Sequence, residues 1–308
     1  MKTNYIISTI YCVFVLSFST ISIAATLTVD QSGSSAYLTI QSAINDTVAG
    51  DAVKILPGLY EEAVVLDKSI KLSGSGPNFT IISPPSEGDD RNGISIYAPN
   101  VVVENITITG AKYGIYLNST NKSYVIQRCV ISGCEDDGIR IANTPSYLLL
   151  QNNTIFSNGG DGISINNYAN AQIRGNIITK NKKFGIHNYA SDDLSYNCFY
   201  RNQSGNYSKS EAGDSDIEAD PKFINEETSN LILASDSPCI NKGVIGLLYN
   251  DPDGSRNDMG AYAGQEASSF WPYYSNGPIV TDLNIIPSSI PKGGKISIKA
   301  TGHVQNNK

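Results

Sequence analysis

Two words that return at a near-constant interval, with too little chain between them for a helix, predict an all-β fold: a right-handed parallel β-helix, a solenoid covered at its start by a short capping helix. The first word is Gly-Ile-x-apolar. It stands at Gly93-Ile94-Ser95-Ile96, Gly114-Ile115-Tyr116-Leu117, Gly138-Ile139-Arg140-Ile141 and Gly162-Ile163-Ser164-Ile165, with a degenerate copy at Gly185-Ile186-His187-Asn188, so its glycines are 21, 24, 24 and 23 residues apart. The second word falls between copies of the first: Cys129-Val130-Ile131, Asn153-Thr154-Ile155, Asn176-Ile177-Ile178 and Asn197-Cys198-Phe199. Each repeat therefore holds short strands with apolar side chains pointing inward at every second position. A single repeat cannot bury its own apolar face, but stacked repeats can, with equivalent strands paired at about 4.8 Å.

Taken in order, the chain of 308 residues opens on a targeting pattern: Lys2, an apolar run from Tyr5 to Ile23, and Ser22-Ile23-Ala24 as a small-x-small cleavage site. Residues 1–25 are expected to be a signal peptide, with a retained anchor as the alternative. No later segment is long and apolar enough to span a bilayer, so no integral span is expected once the signal is cleaved. Thr39 is placed to cap a helix from Ile40 to Asp46, with Ile40, Ala43 and Ile44 on one side, where it would cover the open end of the stack. Val53-Lys54-Ile55, Ala63-Val64-Val65-Leu66, Ile70-Lys71-Leu72 and Thr80-Ile81-Ile82 read as earlier strands, punctuated by Gly58, Gly74, Gly76 and Pro77.

In the regular repeats, stacking would superpose Asn153, Asn176 and Asn197 as a ladder of side-chain amides. A leucine-rich repeat also carries such a ladder, but its Leu-x-x-Leu-x-Leu frame is missing. After Asn206 the repeat fades, and residues 220–262 read as last rungs and a closure. The β-helix is thus expected over residues 26–264. Residues 265–277 look like a linker, and 278–308 like a partial β segment, the opening strands of a truncated sandwich module.

Composition narrows the function. The net charge of −7 argues against nucleic acid, whose phosphates reward Lys and Arg. It does not exclude an acidic polysaccharide, because a local basic cleft can sit on an acidic protein. Four cysteines lie beyond the signal: Cys129, Cys134, Cys198 and Cys239. Export permits disulfides, and four cysteines allow three pairings; Cys129–Cys134 with Cys198–Cys239 is the nearest in sequence, and buried free thiols are the alternative. Their spacing matches no zinc pattern.

Three stretches carry a resemblance. Ile40-Gln41-Ser42-Ala43-Ile44 with Ile55-Leu56-Pro57-Gly58-Leu59-Tyr60-Glu61-Glu62 looks like the entry into pectin-lyase-like β-helices. The Gly-Ile repeats resemble the generic parallel β-helix repeat of that superfamily. Asp220-Pro221-Lys222-Phe223 through Gly260-Ala261-Tyr262 is similar to the closing segment of uncharacterised secreted right-handed β-helix proteins. The resemblance implies the fold; many chemistries, and none, share it.

The sharpest candidate site is Glu135-Asp136-Asp137-Gly138-Ile139-Arg140 with Gly160-Asp161-Gly162 one rung later. It resembles the carboxylate rungs of polygalacturonases, whose paired carboxylates serve as acid and base around a water. Asp137 and Asp161 should stack, and Arg140 is placed to hold a uronate carboxylate. The departures are that Asp161 stands where that family has histidine, Tyr113 where a further aspartate is expected, and Lys180-Asn181-Lys182-Lys183 does not reproduce its Arg-x-Lys. The plain alternative is that an acidic residue before a turn glycine serves the backbone. A lyase would use Lys182 or Lys183 as base beside Ca²⁺ held by Asp136, Asp137 and Asp161. The pectin methylesterase signature is absent. His187 should point outward in the column of Ser95, Tyr116, Arg140 and Ser164, as a proton-transfer group or a surface histidine. Tyr97, Tyr116 and Tyr189 offer stacking area for sugars. Asp251-x-Asp253-Gly254 has part of a calcium loop but reads better as a turn. The expectation is a secreted or cell-surface β-helix protein that binds a polysaccharide or surface glycan without catalysis. The alternative is a uronate lyase or polygalacturonase-like hydrolase working near Asp137 and Asp161.

Overall fold

The computed structural model describes residues 24–88, 91–120, 122–143, 145–166, 170–188 and 193–272, and the backbone alone of 279–286 and 297–303. Residues 1–23 of the expected signal peptide, and Tyr189, lie outside these residues.

The chain winds into a parallel β-helix of about eight turns. The regular turns each contribute one strand to each of three sheets. The first sheet contains Thr26–Val29, Ala52–Ile55, Lys71–Ser73, Val101–Glu104, Ser123–Gln127, Tyr147–Gln151, Ala171–Arg174 and Asp193–Ser195. The second runs from Gly58–Tyr60 through Val130–Ser132, Thr154–Phe156, Ile177–Thr179 and Cys198–Tyr200 to Ile217–Glu218. The third runs from Val64–Leu66 through Ile94–Ile96, Ile115–Leu117, Ile139–Ile141, Ile163–Ile165 and Phe184–Asn188 to Gly205–Ser208. The Gly-Ile word is the third sheet: Ile94, Ile115, Ile139, Ile163 and Ile186 are register partners and are all buried.

The capping helix forms over Ile40–Asp46 as expected. Thr39 Oγ1 accepts from Ser42 N at 3.2 Å, and the Glu62 carboxylate accepts from Ile40 N and Gln41 N at 2.8 and 3.0 Å, satisfying the helix's first donors. Ile40, Ala43 and Ile44 face the core.

The asparagine ladder is present and longer than read. Asn153 Nδ2 donates to Asn176 Oδ1, and Asn176 Nδ2 to Asn197 Oδ1, each at 3.0 Å; Asn197 ends on Asp216. A second ladder, missed in the sequence, runs Asn158 to Asn181 to Asn202 at the far end of the second sheet. Corner glycines divide by cause. Gly110, Gly133 and Gly175 have positive φ, a state that Arg128, Asn152, Lys180 and Tyr196 adopt at equivalent corners. The repeat glycines are there for space: a Cβ on Gly114 would meet Gly138 O at 2.6 Å and Ile131 Cγ2 at 2.3 Å.

Two segments differ from the sequence reading. Residues 220–262 are not further rungs. They leave the solenoid after Glu218 and lie as a strap against the outside of the second sheet, carrying an antiparallel hairpin of Phe223–Asn225 and Asn230–Leu233. Gly260 N donates to Gly175 O at 2.8 Å, and Ala261 N to Thr154 Oγ1 at 3.0 Å. Residues 265–272, read as part of a linker, continue that packing through a short 3₁₀ turn, Gln265–Ala267, with Ala267, Phe270 and Trp271 buried. The cause is the second sheet's composition. Its outer face mixes Thr107, Ser132, Thr154 and Thr179 with Val130, Ile177 and Cys198, and the apolar members need a cover. Residues 279–286 and 297–303 pair antiparallel.

Candidate functional site on the third sheet

Among the described residues the strap covers the second sheet, and the outer face of the third is partly exposed: Tyr116, Arg140 and His187 are half-buried, Ser95 and Ser164 buried. Three columns of side chains run along it, fixed by the register. Two residues before each repeat glycine stand Arg91, Lys112, Asp136, Gly160 and Lys183, whose backbones are hydrogen-bonded in succession. One residue before stand Asn92, Tyr113, Asp137, Asp161 and Phe184. Two residues after stand Ser95, Tyr116, Arg140, Ser164 and His187, paired as expected.

Asp137 and Asp161 do lie on adjacent rungs, and each divides its two oxygens between two tasks. Asp137 Oδ1 accepts from Asp161 N at 2.7 Å, and Asp161 Oδ1 accepts from Phe184 N at 2.8 Å. These are corner bonds of the kind the ladders make. The outer oxygens meet the outward column: Asp137 Oδ2 is 2.9 Å from Arg140 Nη1, and Asp161 Oδ2 is 3.3 Å from His187 Nδ1. Both aspartates are almost fully buried, at 1% and 4% exposure, so neither stands open in a groove as a carboxyl reaching for a glycosidic oxygen must. Burial pushes the Asp137 carboxyl up; the Asp161 amide and Arg140 oppose the rise. Arg140 Nη1 also donates to Ser164 Oγ at 3.0 Å.

Lys182 is not part of this arrangement. It is exposed at a corner, and among the described residues no hydrogen bond or ion pair joins its side chain to either aspartate. Its neighbour Lys183 instead reaches Asp136 at 3.6 Å, passing over Gly160, where a Cβ would come 2.5 Å from Asp136 Oδ1 and 2.3 Å from Asp137 Oδ1.

The calcium expectation at Asp136, Asp137 and Asp161 does not fit the geometry. Backbone amides, Arg140 and His187 occupy the oxygens of Asp137 and Asp161, and Lys183 faces Asp136. Among the described residues no group of three or more His, Cys, Asp or Glu is arranged to hold a metal ion. Asp251 likewise serves a turn: its oxygens accept from Gly264 N at 2.6 Å and Asp258 N at 2.8 Å.

The structure adds Arg91, Lys112 and Asn166, which the motif search passed over, to Tyr113, Tyr116 and Arg140. These six line a groove of about 370 Å³ on this face. Tyr113 and Tyr116 stack with ring centroids 5.7 Å apart and planes at 25°, and Lys112 Nζ lies 5.4 Å over the Tyr113 ring. Tyr113 therefore fills the place of the aspartate that a polygalacturonase would need. The signal for Arg91 and Lys112 was available: both stand two residues before a repeat glycine, a column visible once the repeats are aligned. Tyr97 is exposed on the same sheet's rim.

Comparison with known proteins agrees with the architecture. Residues 68–205 match the family model described as a right handed beta helix region. The chain is a right-handed parallel β-helix protein. A cell surface glycoprotein of Methanothermus fervidus is 29% identical over 164 residues; the match covers 43% of this chain and 27% of that relative, so the chain spans little more than a quarter of its length. Among solved structures, a pectate lyase aligns over 79% of this β-helix protein and 97% of its own chain at 15% identity, with a TM-score of 0.36. A pectin methylesterase from carrot aligns over 65% and 87% at 12% identity and 0.32, and one from Aspergillus niger over 68% and 94% at 14% and 0.31. None of these carries an activity over to this β-helix. Among its described residues, no helix is long and apolar enough to cross a membrane.

Proposed function

We propose that this is a cell-surface or secreted β-helix protein that binds an acidic glycan along the outer face of its third sheet, without catalysis. The observation that carries this reading is the groove in which the stacked Tyr113 and Tyr116 rings lie among Arg91, Lys112 and Arg140. Aromatic faces pack against the apolar side of a pyranose, and the cations match carboxylates spaced along a uronate chain. The cell surface glycoprotein from M. fervidus supports the location.

Catalysis is a weaker reading because both aspartates are spent on backbone amides and cations. Polygalacturonate, alginate and hyaluronate, with dextran as the neutral control, test the proposal by calorimetry. Binding of an acidic chain that weakens with added salt is expected, and Lys112→Ala or Arg140→Ala should each cost about tenfold in affinity. Equal binding to dextran, or none to any acidic chain, overturns it. Release of unsaturated or reducing ends, with or without Ca²⁺, would establish the enzyme reading in its place.

A further inference from the structure

The four described cysteines fall into two environments. Cys129 and Cys134 are buried inside the solenoid, at opposite ends of the strand Val130–Ser132. The extended run through Val130–Ser132 rises about 3.3 Å per residue before the corner at Gly133, which sets their Cα atoms roughly 10 Å or more apart. A disulfide needs no more than about 7 Å, so these two cannot pair, and the sequence pairing of Cys129 with Cys134 is excluded.

Cys198 and Cys239 lie elsewhere. Both are fully buried in the apolar layer between the second sheet and the strap. Cys198 is on the solenoid wall, in the strand Cys198–Tyr200, and Cys239 is on the strap, tied there by Met259 N donating to Cys239 O at 3.0 Å. All four cysteines are free thiols in this structure. Cys198 is the register partner of Ile177, against whose side chain Gly260 packs, and Gly260 follows the Met259 that holds Cys239. Cys198 Sγ also lies 3.3 Å from Ala219 O, where the chain leaves the solenoid. The two cysteines thus stand on opposite sides of one buried seam between wall and strap.

We propose that Cys198 and Cys239 form a disulfide in the mature protein and staple the strap to the solenoid, while Cys129 and Cys134 remain thiols. The oxidant is an external disulfide, of glutathione or of a thiol–disulfide oxidoreductase. One thiolate attacks it, forming a mixed disulfide and releasing one external thiol. The second thiolate attacks the bound cysteine sulfur, closing the Cys198–Cys239 bond and releasing the other. Two protein thiols are oxidised, one external disulfide is reduced to two thiols, and the two protons pass to the leaving thiolates. The exchange runs before the strap seats, because the seated Cys239 thiol is held protonated by the Cys198 side chain and by burial. The staple is independent of whether the third sheet binds glycan.

The test is refolding of the full chain in a mixture of reduced and oxidised glutathione, acid quench, alkylation in denaturant and non-reducing peptide mass mapping. A peptide joining Cys198 to Cys239 is expected, with Cys129 and Cys134 alkylated. Alkylation of all four, or a link to Cys129 or Cys134, overturns the proposal. A second readout needs no new disulfide chemistry: dithiothreitol should speed proteolysis of the strap at least about tenfold in the oxidised wild type, and leave Cys239→Ser and Cys198→Ala unchanged. A wild-type strap that is cut at the same rate with and without reductant also overturns it.

Discussion

Tyr262 Oη donates a hydrogen bond to Asn78 Oδ1 at 2.5 Å, joining the strap to an early turn of the solenoid across 184 positions of sequence. Arg128 makes a similar tie, its guanidinium bridging buried Glu104 on the wall at 2.9 Å and Glu266 on the strap at 2.7 Å. The strap is therefore anchored along most of the second sheet, and its behaviour is the most accessible test of the architecture.

At Gly260 the strap's backbone lies directly against the wall. Its φ is +97°, and a Cβ there would lie 2.7 Å from Ile177 Cδ1 and 2.9 Å from Thr154 Oγ1. Gly260→Ala is expected to destabilise strap docking by about 1–3 kcal/mol. Trp271, the chain's one tryptophan, is buried at the strap's end and reports the change. Its emission should shift to the red at lower denaturant in the variant, ahead of the loss of β-sheet circular dichroism. Coincident, unshifted transitions would mean that the strap is not held at this point.

The strap also carries a pH dependence. Burial, and then the charge of Asp258, push the Asp251 carboxyl from the ordinary 3.8 up to about 8. Burial likewise raises Asp258. Between about pH 4 and pH 8 the folded pair keeps a proton that the unfolded chain has lost. Folding then takes up a proton, so stability falls as pH rises through that window and levels off above it. Asp258→Asn can donate an amide hydrogen to the Asp251 carboxylate and should flatten the dependence. Unfolding midpoints of wild type and variant at pH 5, 6, 7 and 8 check this; parallel profiles would contradict it.

In the ladder, Asn176 Oδ1 accepts from both Asn153 N and Asn153 Nδ2, while its own amide donates to Leu150 O at 2.9 Å and to Asn197. Asn176→Ala strands buried groups on two neighbouring rungs and should cost about 3 kcal/mol. Asn166→Ala, at an exposed position, should stay within about 0.5 kcal/mol. Thermal unfolding distinguishes the two, and equal losses would remove the ladder's special role.

Asp161→Asn separates structure from chemistry on the third sheet. The amide oxygen can still accept from Phe184 N, so the fold should persist, and glycan affinity should stay within about twofold of wild type. Any polysaccharide cleavage by the wild type that this variant loses would assign Asp161 a catalytic part.

The sequence by itself determined the solenoid, the capping helix and the outward column Ser95, Tyr116, Arg140, Ser164 and His187. Each of these follows from a local period repeated along the chain: a residue's inward or outward sense is set by its distance from the nearest Gly-Ile word, and stacking does the rest. The repeat also foretold that Asp137 and Asp161 would superpose. Only the tertiary structure decided what they do, because the choice between an open carboxyl pair and corner acceptors depends on where the next rung's amide points. It likewise decided the strap. Phe223, Leu231 and Met259 have no period, and their partners Val130, Ile177 and Cys198 lie on distant rungs. A contact made once, between segments far apart in the chain, leaves no repeat to read; the sequence carried a closing segment and outward apolar residues on the second sheet, but not where the one meets the other.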